Sequence, residues 1–132
     1  VQQGLLERLI LTLPWHPGRQ KADYKKILIF LSKRLSMDCW LIYYPSGVSL
    51  PRHSDKIKGR DHYRYNFTIV RPSAGGELRS SSHIERNGRL DFFRSDKPHW
   101  VTKTVGWRLV LSVGYAPVTP PSNLLDKNET AG

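Results

Sequence analysis

The chain has a single cysteine, Cys39, so it can form neither an internal disulfide nor a cysteine-rich zinc cage, which fits a reducing compartment. It also lacks any apolar run near the roughly 18 residues a membrane helix needs. Glu7 and Arg8 interrupt the first candidate, Leu5 to Leu13. Those charges, with no small-residue cleavage site after them, speak against a secretory leader, and cytoplasm is the expected compartment. Acidic residues are scarce, 11 against 21 Lys plus Arg, which leaves a formal net charge of +10 with histidine neutral. With 39% hydrophobic residues, four Trp, six Tyr and four Phe among 132, the chain is too apolar for intrinsic disorder and has the length of one domain.

Leu5, Leu6, Leu9, Ile10 and Leu13 recur at helical spacing ahead of Pro14, which predicts a short amphipathic helix. Tyr24, Ile27, Leu28, Leu31 and Leu35 form a second apolar stripe, read as a second helix ending near Ser36. From Asp38 onward the period becomes two and turn residues become dense: Pro45-Ser46-Gly47, Gly75-Gly76, Asn87-Gly88 and Lys97-Pro98. Strands are predicted at Tyr63 to Val70 and Trp107 to Tyr115, and around Cys39 to Tyr44, Glu77 to Ser81, Arg89 to Arg94 and Trp100 to Lys103. The composite is mainly β, a sandwich or jelly roll with two N-terminal helices packed on it. Residues 1–37 form the helical support, 38–116 the core, and 117–132, rich in Pro, Thr, Ser and Asn, a frayed tail.

His53-Ser54-Asp55 puts two metal-competent side chains at i and i+2, on one face of an extended segment. His99, at the start of another β-run, is the best third ligand. Two imidazoles and one carboxylate leave open coordination positions, a ligand set typical of non-haem Fe(II) oxygenases. A satisfied surface pair is the plainer account of a lone His-x-Asp. Support comes from Arg108, which lies mid-strand on the polar face opposite Trp107, Leu109 and Leu111. An inward arginine is costly unless paired, and its planar fork suits a carboxylate, whether that of a buried Asp or Glu or that of a ligand.

The order Tyr43-Tyr44-Pro45-Ser46-Gly47, Arg52-His53-Ser54-Asp55, Gly75-Gly76-Glu77-Leu78, Leu90-Asp91-Phe92-Phe93, Pro98-His99-Trp100-Val101 and Gly106-Trp107-Arg108 resembles the 2-oxoglutarate and Fe(II)-dependent dioxygenases. It looks closest to their prolyl-hydroxylase-like branch, which includes the hypoxia-inducible factor prolyl hydroxylases and compact microbial relatives. The resemblance spans roughly residues 39–116, and the ordered combination is more specific than any one motif. It implies a double-stranded β-helix holding Fe(II) on His53, Asp55 and His99, with Arg108 on the distal carboxylate of 2-oxoglutarate and Tyr44 bordering cosubstrate or substrate. Gly75-Gly76 matches the family's glycine turn, and equally any hairpin turn needing positive φ. Where many members carry Ser or Thr two residues after the arginine, this chain has Val110, and the hydroxyl comes at Ser112. Asn66 and Thr68, sharing a face with Arg64, are further candidate cosubstrate contacts, with Tyr65 on the opposite, core-facing side.

The implied activity is hydroxylation of a C–H bond, coupling O2 activation to decarboxylation of 2-oxoglutarate to succinate, on a protein or peptide residue. The alternatives are the same chemistry on nucleic acid or a small metabolite, a non-catalytic basic jelly-roll module binding nucleic acid, and a zinc hydrolase using the same triad. Only 43 residues separate Asp55 from His99, which leaves little room for inserted recognition loops. Arg52, Lys56, Lys58, Arg60 and Arg64 fall in the segment that begins at the expected metal and would line its mouth, attracting an anionic partner. His62 and His83 read as surface histidines, His16 has no partner spacing, and Cys39 reads as a small buried hydrophobe. Tyr43, Trp100 and Trp107 are assigned to packing instead of the site.

Overall fold

The computed structural model describes residues 2–18 and 23–118. Helix α1 (Gln2–Leu11) is followed by ten strands: β1 (His16–Pro17), β2 (Lys25–Ser32), β3 (Met37–Tyr44), β4 (Leu50–His53), β5 (Tyr63–Val70), β6 (Leu78–Ser80), β7 (His83–Asn87), β8 (Leu90–Arg94), β9 (His99–Val101) and β10 (Arg108–Tyr115). Seven strands pair in the order β1-β2-β3-β10-β5-β8-β7, and three form a second sheet, β4-β9-β6. All pairings between strands are antiparallel. The fold is a double-stranded β-helix, as the mainly-β reading required. No helix among the described residues is long and apolar enough to cross a membrane.

The core between the sheets follows from strand alternation. Val110 of β10 and Phe93 of β8 point inward from the large sheet and meet Leu50, Leu78 and Val101 from the small one. A second cluster lies on the outer side of the large sheet, where Ile10 of α1 and Trp15 pack on Tyr43, Leu109 and Trp107. The helix is anchored there by the Tyr43 hydroxyl, which donates to Glu7 Oε2 at 2.5 Å, and by Trp15 Nε1, which donates to the Ile10 carbonyl at 2.7 Å. Tyr43 and Trp107 are therefore packing residues, as expected from the sequence.

The second predicted helix is instead strand β2. The run Ile27-Leu28-Ile29-Phe30-Leu31 satisfies both periods, and tertiary pairing decides between them. A tight turn at residues 33–36, with Ser36 at φ 55°, reverses the chain so that β2 pairs with β3. A bulge at Ile29 then sets Leu28 opposite Trp40 and Phe30 opposite Cys39, and both apolar side chains stay exposed. Tyr65 also departs from expectation: it is 39% exposed on the outer face and stacks on Phe92, while its neighbours Asn66 and Thr68 are buried. Cys39 is half-buried on that outer face. The tail predicted from residue 117 lies, beyond Val118, outside the described residues.

Phe93 is 1% exposed and Phe67 is 44% exposed. Phe93→Ala should therefore cost about 3–5 kcal/mol in urea unfolding, and Phe67→Ala less than about 1 kcal/mol.

Candidate metal centre

Strands β4 and β9 pair so that Leu50 lies opposite Val101 and His53 opposite His99. The two imidazoles thus leave neighbouring strands side by side, with ring centroids 4.2 Å apart. Each ring is oriented from behind. Nδ1–H of His53 donates to the Pro51 carbonyl at 2.7 Å, and Nδ1–H of His99 donates to the Lys97 carbonyl at 2.9 Å. Both Nε2 atoms are left facing Asp55 Oδ2, at 3.6 Å from His53 and 3.5 Å from His99. Backbone carbonyls holding the far nitrogen are the usual way to set tautomer and aim in a metal-binding histidine.

Asp55 sits two residues beyond β4. Its N–H donates to the Ser95 carbonyl at 2.7 Å, and its own carbonyl accepts from His62 Nδ1–H at 3.0 Å. One donor atom from each of His53, Asp55 and His99 falls within a 4.8 Å spread. Ligands about 2.1 Å from one ion and at right angles lie about 3 Å apart, so small side-chain movements would close this set on a cation. Burial works against the Asp55 carboxylate, yet the two imidazoles beside it hold it well below the usual carboxylate range. Burial also opposes charge on His53, but the neighbouring Asp55 carboxylate and the hydrogen bond to Pro51 outweigh this and raise it above its ordinary value. A divalent cation would take over the role those protons play.

Arg108 lies on the inward face of β10, opposite Tyr44 of β3, and is 2% exposed. Its guanidinium carbon is 4.7 Å from the Tyr44 ring centroid, and its Nη1 has no hydrogen-bond partner among the described residues. A buried cation with a spare N–H is costly unless an anion arrives. Burial pushes the Tyr44 phenol up, with Arg108 partly opposing, so Tyr44 stays neutral and can donate a hydrogen bond. Gly76, at φ +64°, gives the arginine its space, since a Cβ there would lie 3.1 Å from Arg108 Cδ and 2.9 Å from Thr104 Cγ2.

A cavity of about 300 Å³ opens in front of the triad and is lined by Tyr44, His53, Asp55, His99, Asn66 and Ser112 among others. Arg108 sits just behind the Tyr44 end of this lining, and Thr68 is buried on the same inward face beside Val110. Ser112 and Asn66 are joined to Arg64, which the sequence places both in the basic segment and on the strand face of Asn66 and Thr68. Arg64 Nη1 donates to Ser112 Oγ at 2.7 Å, Ser112 Oγ–H donates to Asn66 Oδ1 at 2.6 Å, and Arg64 Nη2 donates to Asp38 Oδ1 at 2.7 Å. Asp38 was missed altogether, because its facing on β3 depends on register with β10.

The basic segment is a mouth only in part. Lys56 and Arg64 line the cavity, but Arg52 packs on the Trp100 ring, and Arg60 donates to Ser36 Oγ and the Ala116 carbonyl. His62 is no surface histidine: it is 7% exposed, and burial lowers its pKa so that it supports the Asp55 backbone as a neutral ring. His83 is half-buried and hydrogen-bonds Asp91 at 3.0 Å, away from the triad.

Zinc titrated calorimetrically into the protein should bind at one site, and His53→Ala or Asp55→Ala should weaken it on the order of 100-fold, while His83→Ala leaves it unchanged. A pH test follows from the turn before β9. Arg94 donates to Asp96 Oδ1 and Oδ2 at 2.8 and 2.6 Å, and although burial opposes the charge, this grip holds the Asp96 carboxyl below its usual range. A carboxyl depressed on folding contributes stability that is present above its unfolded value, near ~3.9, and is lost as pH falls through the folded value. The stability gap between wild type and Asp96→Asn should therefore be constant, at about 1 kcal/mol, near neutral pH and shrink below about pH 4 in urea titrations.

No protein-family model matches the chain, and no curated protein matches it. Solved structures do. A prolyl-4-hydroxylase from Pseudomonas putida superimposes with a TM-score of 0.63 at 18% identity, covering 89% of this chain and 86% of that one. KdgF from Halomonas sp. gives 0.57 at 10% identity, covering 86% and 94%. A cupin 2 conserved barrel domain protein from Rhodopseudomonas palustris gives 0.51 at 17% identity, covering 81% and 72%. At these identities the likeness establishes the jelly-roll fold, and the His53-Asp55-His99 cluster is a candidate metal site on its own geometry.

Proposed function

We propose that the protein is a 2-oxoglutarate- and Fe(II)-dependent dioxygenase that hydroxylates a C–H bond. The observation that carries this reading is the buried Arg108, whose Nη1 lacks a partner among the described residues, packed behind Tyr44, which lines a cavity bearing two imidazoles and an aspartate. The donor set fits a ferrous ion with open positions, and the spare guanidinium N–H fits the distal carboxylate of a keto diacid. His53, Asp55 and His99 would hold the iron. When bound, Fe(II) with 2-oxoglutarate supplies the oxygen activation, with the overall balance R–H + 2-oxoglutarate + O2 → R–OH + succinate + CO2.

The chain's own contributions are binding, aim and exclusion of water. Arg108 neutralises and orients the distal carboxylate, and Tyr44 borders it with a neutral hydroxyl. Thr68, Asn66 and Ser112 share the inward face along which the cosubstrate would be held. Leu50, Leu78, Val101 and Phe93 keep that end of the cavity apolar, which strengthens the arginine–carboxylate attraction. A zinc hydrolase would have no use for a buried dicarboxylate anchor. The motif order, and a neighbour described as a prolyl-4-hydroxylase, favour an amino-acid side chain as the unit hydroxylated.

Mixing Fe(II) and 2-oxoglutarate without oxygen should give the weak visible band of a chelated keto acid, and oxygen should then yield succinate. Asp55→Ala should abolish succinate formation. Arg108→Ala should raise the 2-oxoglutarate KM by about 100-fold while metal binding persists, since a hydrogen-bonded charge pair is lost. Gly76→Ala should shift the same constant in the same direction, by crowding Arg108. Absence of the band, together with salt-sensitive nucleic-acid binding that survives His53→Ala, would mark a binding module instead.

A further inference from the structure

The cavity that begins at the triad continues to a second arginine that the oxygenase chemistry does not use. Arg64 of β5 and Asp38 of β3 both line it, and they form an ion pair of 2.7 Å although a whole strand, β10, separates their backbones. They meet across Gly114, which pairs with Asp38 on one side and Arg64 on the other. A Cβ on Gly114 would overlap both charged groups. Gly114 is not among the positive-φ glycines, so what its missing side chain provides is room.

The pair is ill suited to a purely structural role. Its side chains are 12% and 26% exposed, a largely desolvated setting in which the cost of stripping water from both charges offsets much of their attraction. A guanidinium has five N–H donors and a carboxylate about four acceptor sites, so both retain capacity beyond their mutual bond and the bond to Ser112. Side by side on a cavity wall, one group selects a carboxylate and the other an ammonium. Trp40 and Ile57 add apolar surface to the same lining, and Lys26 and Lys56 bias it toward negative charge. At about 300 Å³ the cavity is at the small end for ligand pockets, suited to a keto diacid with one small companion.

We infer that the companion is a free α-amino acid, its carboxylate on Arg64, its ammonium on Asp38 and its side chain directed at His53, Asp55 and His99. This narrows the substrate unit from a residue within a polypeptide to the free zwitterion. A peptide unit has the right donor and acceptor for the same pair, but it would strip water from two charges and return none. The fate of the side chain rests on the oxygenase reading; the binding does not.

The test is calorimetric titration of the wild-type protein with a panel of the standard free L-amino acids and with their N-acetyl amides. At least one free amino acid should bind, with its N-acetyl amide weaker by about 10- to 100-fold, as expected for losing charged hydrogen-bond partners. Arg64→Gln and Asp38→Asn should each weaken binding about tenfold, and Gly114→Ala should do so by pushing the pair apart. Equal or tighter binding of the amides overturns the inference, as does no binding anywhere in the panel. Calorimetry needs neither iron nor keto acid. A missing keto-acid band would therefore sink the oxygenase reading alone, while the comparison of free and blocked amino acids still decides this one.

Discussion

The antiparallel register of β4 against β9 is the constraint on which the site depends. It sets His53 opposite His99, and the carbonyls of Pro51 and Lys97 then fix which nitrogen each ring presents. Asp55 joins them only because its backbone is tied on both sides, to Ser95 and to the His62 ring. A slip of one residue would turn one imidazole away from the other, since successive side chains on a strand point to opposite faces. The short β4-β9-β6 sheet holds its register because Leu50, Leu78 and Val101 are buried against Val110 and Phe93.

Among the described residues, Arg108 and Arg64 face the interior of this small barrel, and their surroundings give them opposite characters. Arg108 is sealed in, stacked on Tyr44, with a donor left unmatched. Arg64 is nearer the opening and already balanced by Asp38 and Ser112. In a low-dielectric enclosure the first behaves as a cation awaiting an anion, the second as half of a dipole that can be shared with a dipolar ligand. Of the two glycines that accommodate them, Gly76 combines a positive φ with room for Arg108, whereas Gly114, on a central strand, serves through lack of volume alone.

Much of this was legible in the residues. The spacing of His53 and Asp55, the polar face bearing Arg108 and the turn punctuation all survive in the folded protein, as do the strands expected at Tyr63 to Val70 and at Trp107 to Tyr115, the second beginning at Arg108. What was misread shares one cause. The segment from Tyr24 to Leu35 is apolar enough to suit either period, and only the availability of β3 as a partner makes it a strand. Tyr65 looked like core because it alternates with polar residues, but here the polar side of β5 faces inward, where Asn66 and Thr68 are buried. His62, amid charged neighbours, looked solvated until the Asp55 loop folded over it.

The order and type of the metal-competent side chains, the β-rich pattern after residue 37 and the surplus of positive charge are properties of the chain as written, because each depends on local spacing or simple counting. Which face of each strand turns inward, which histidines meet, and that Asp38 reaches Arg64 across an intervening strand were decided by packing. Those outcomes depend on register between segments remote in sequence, and register is set by the burial of surfaces that no local stretch contains.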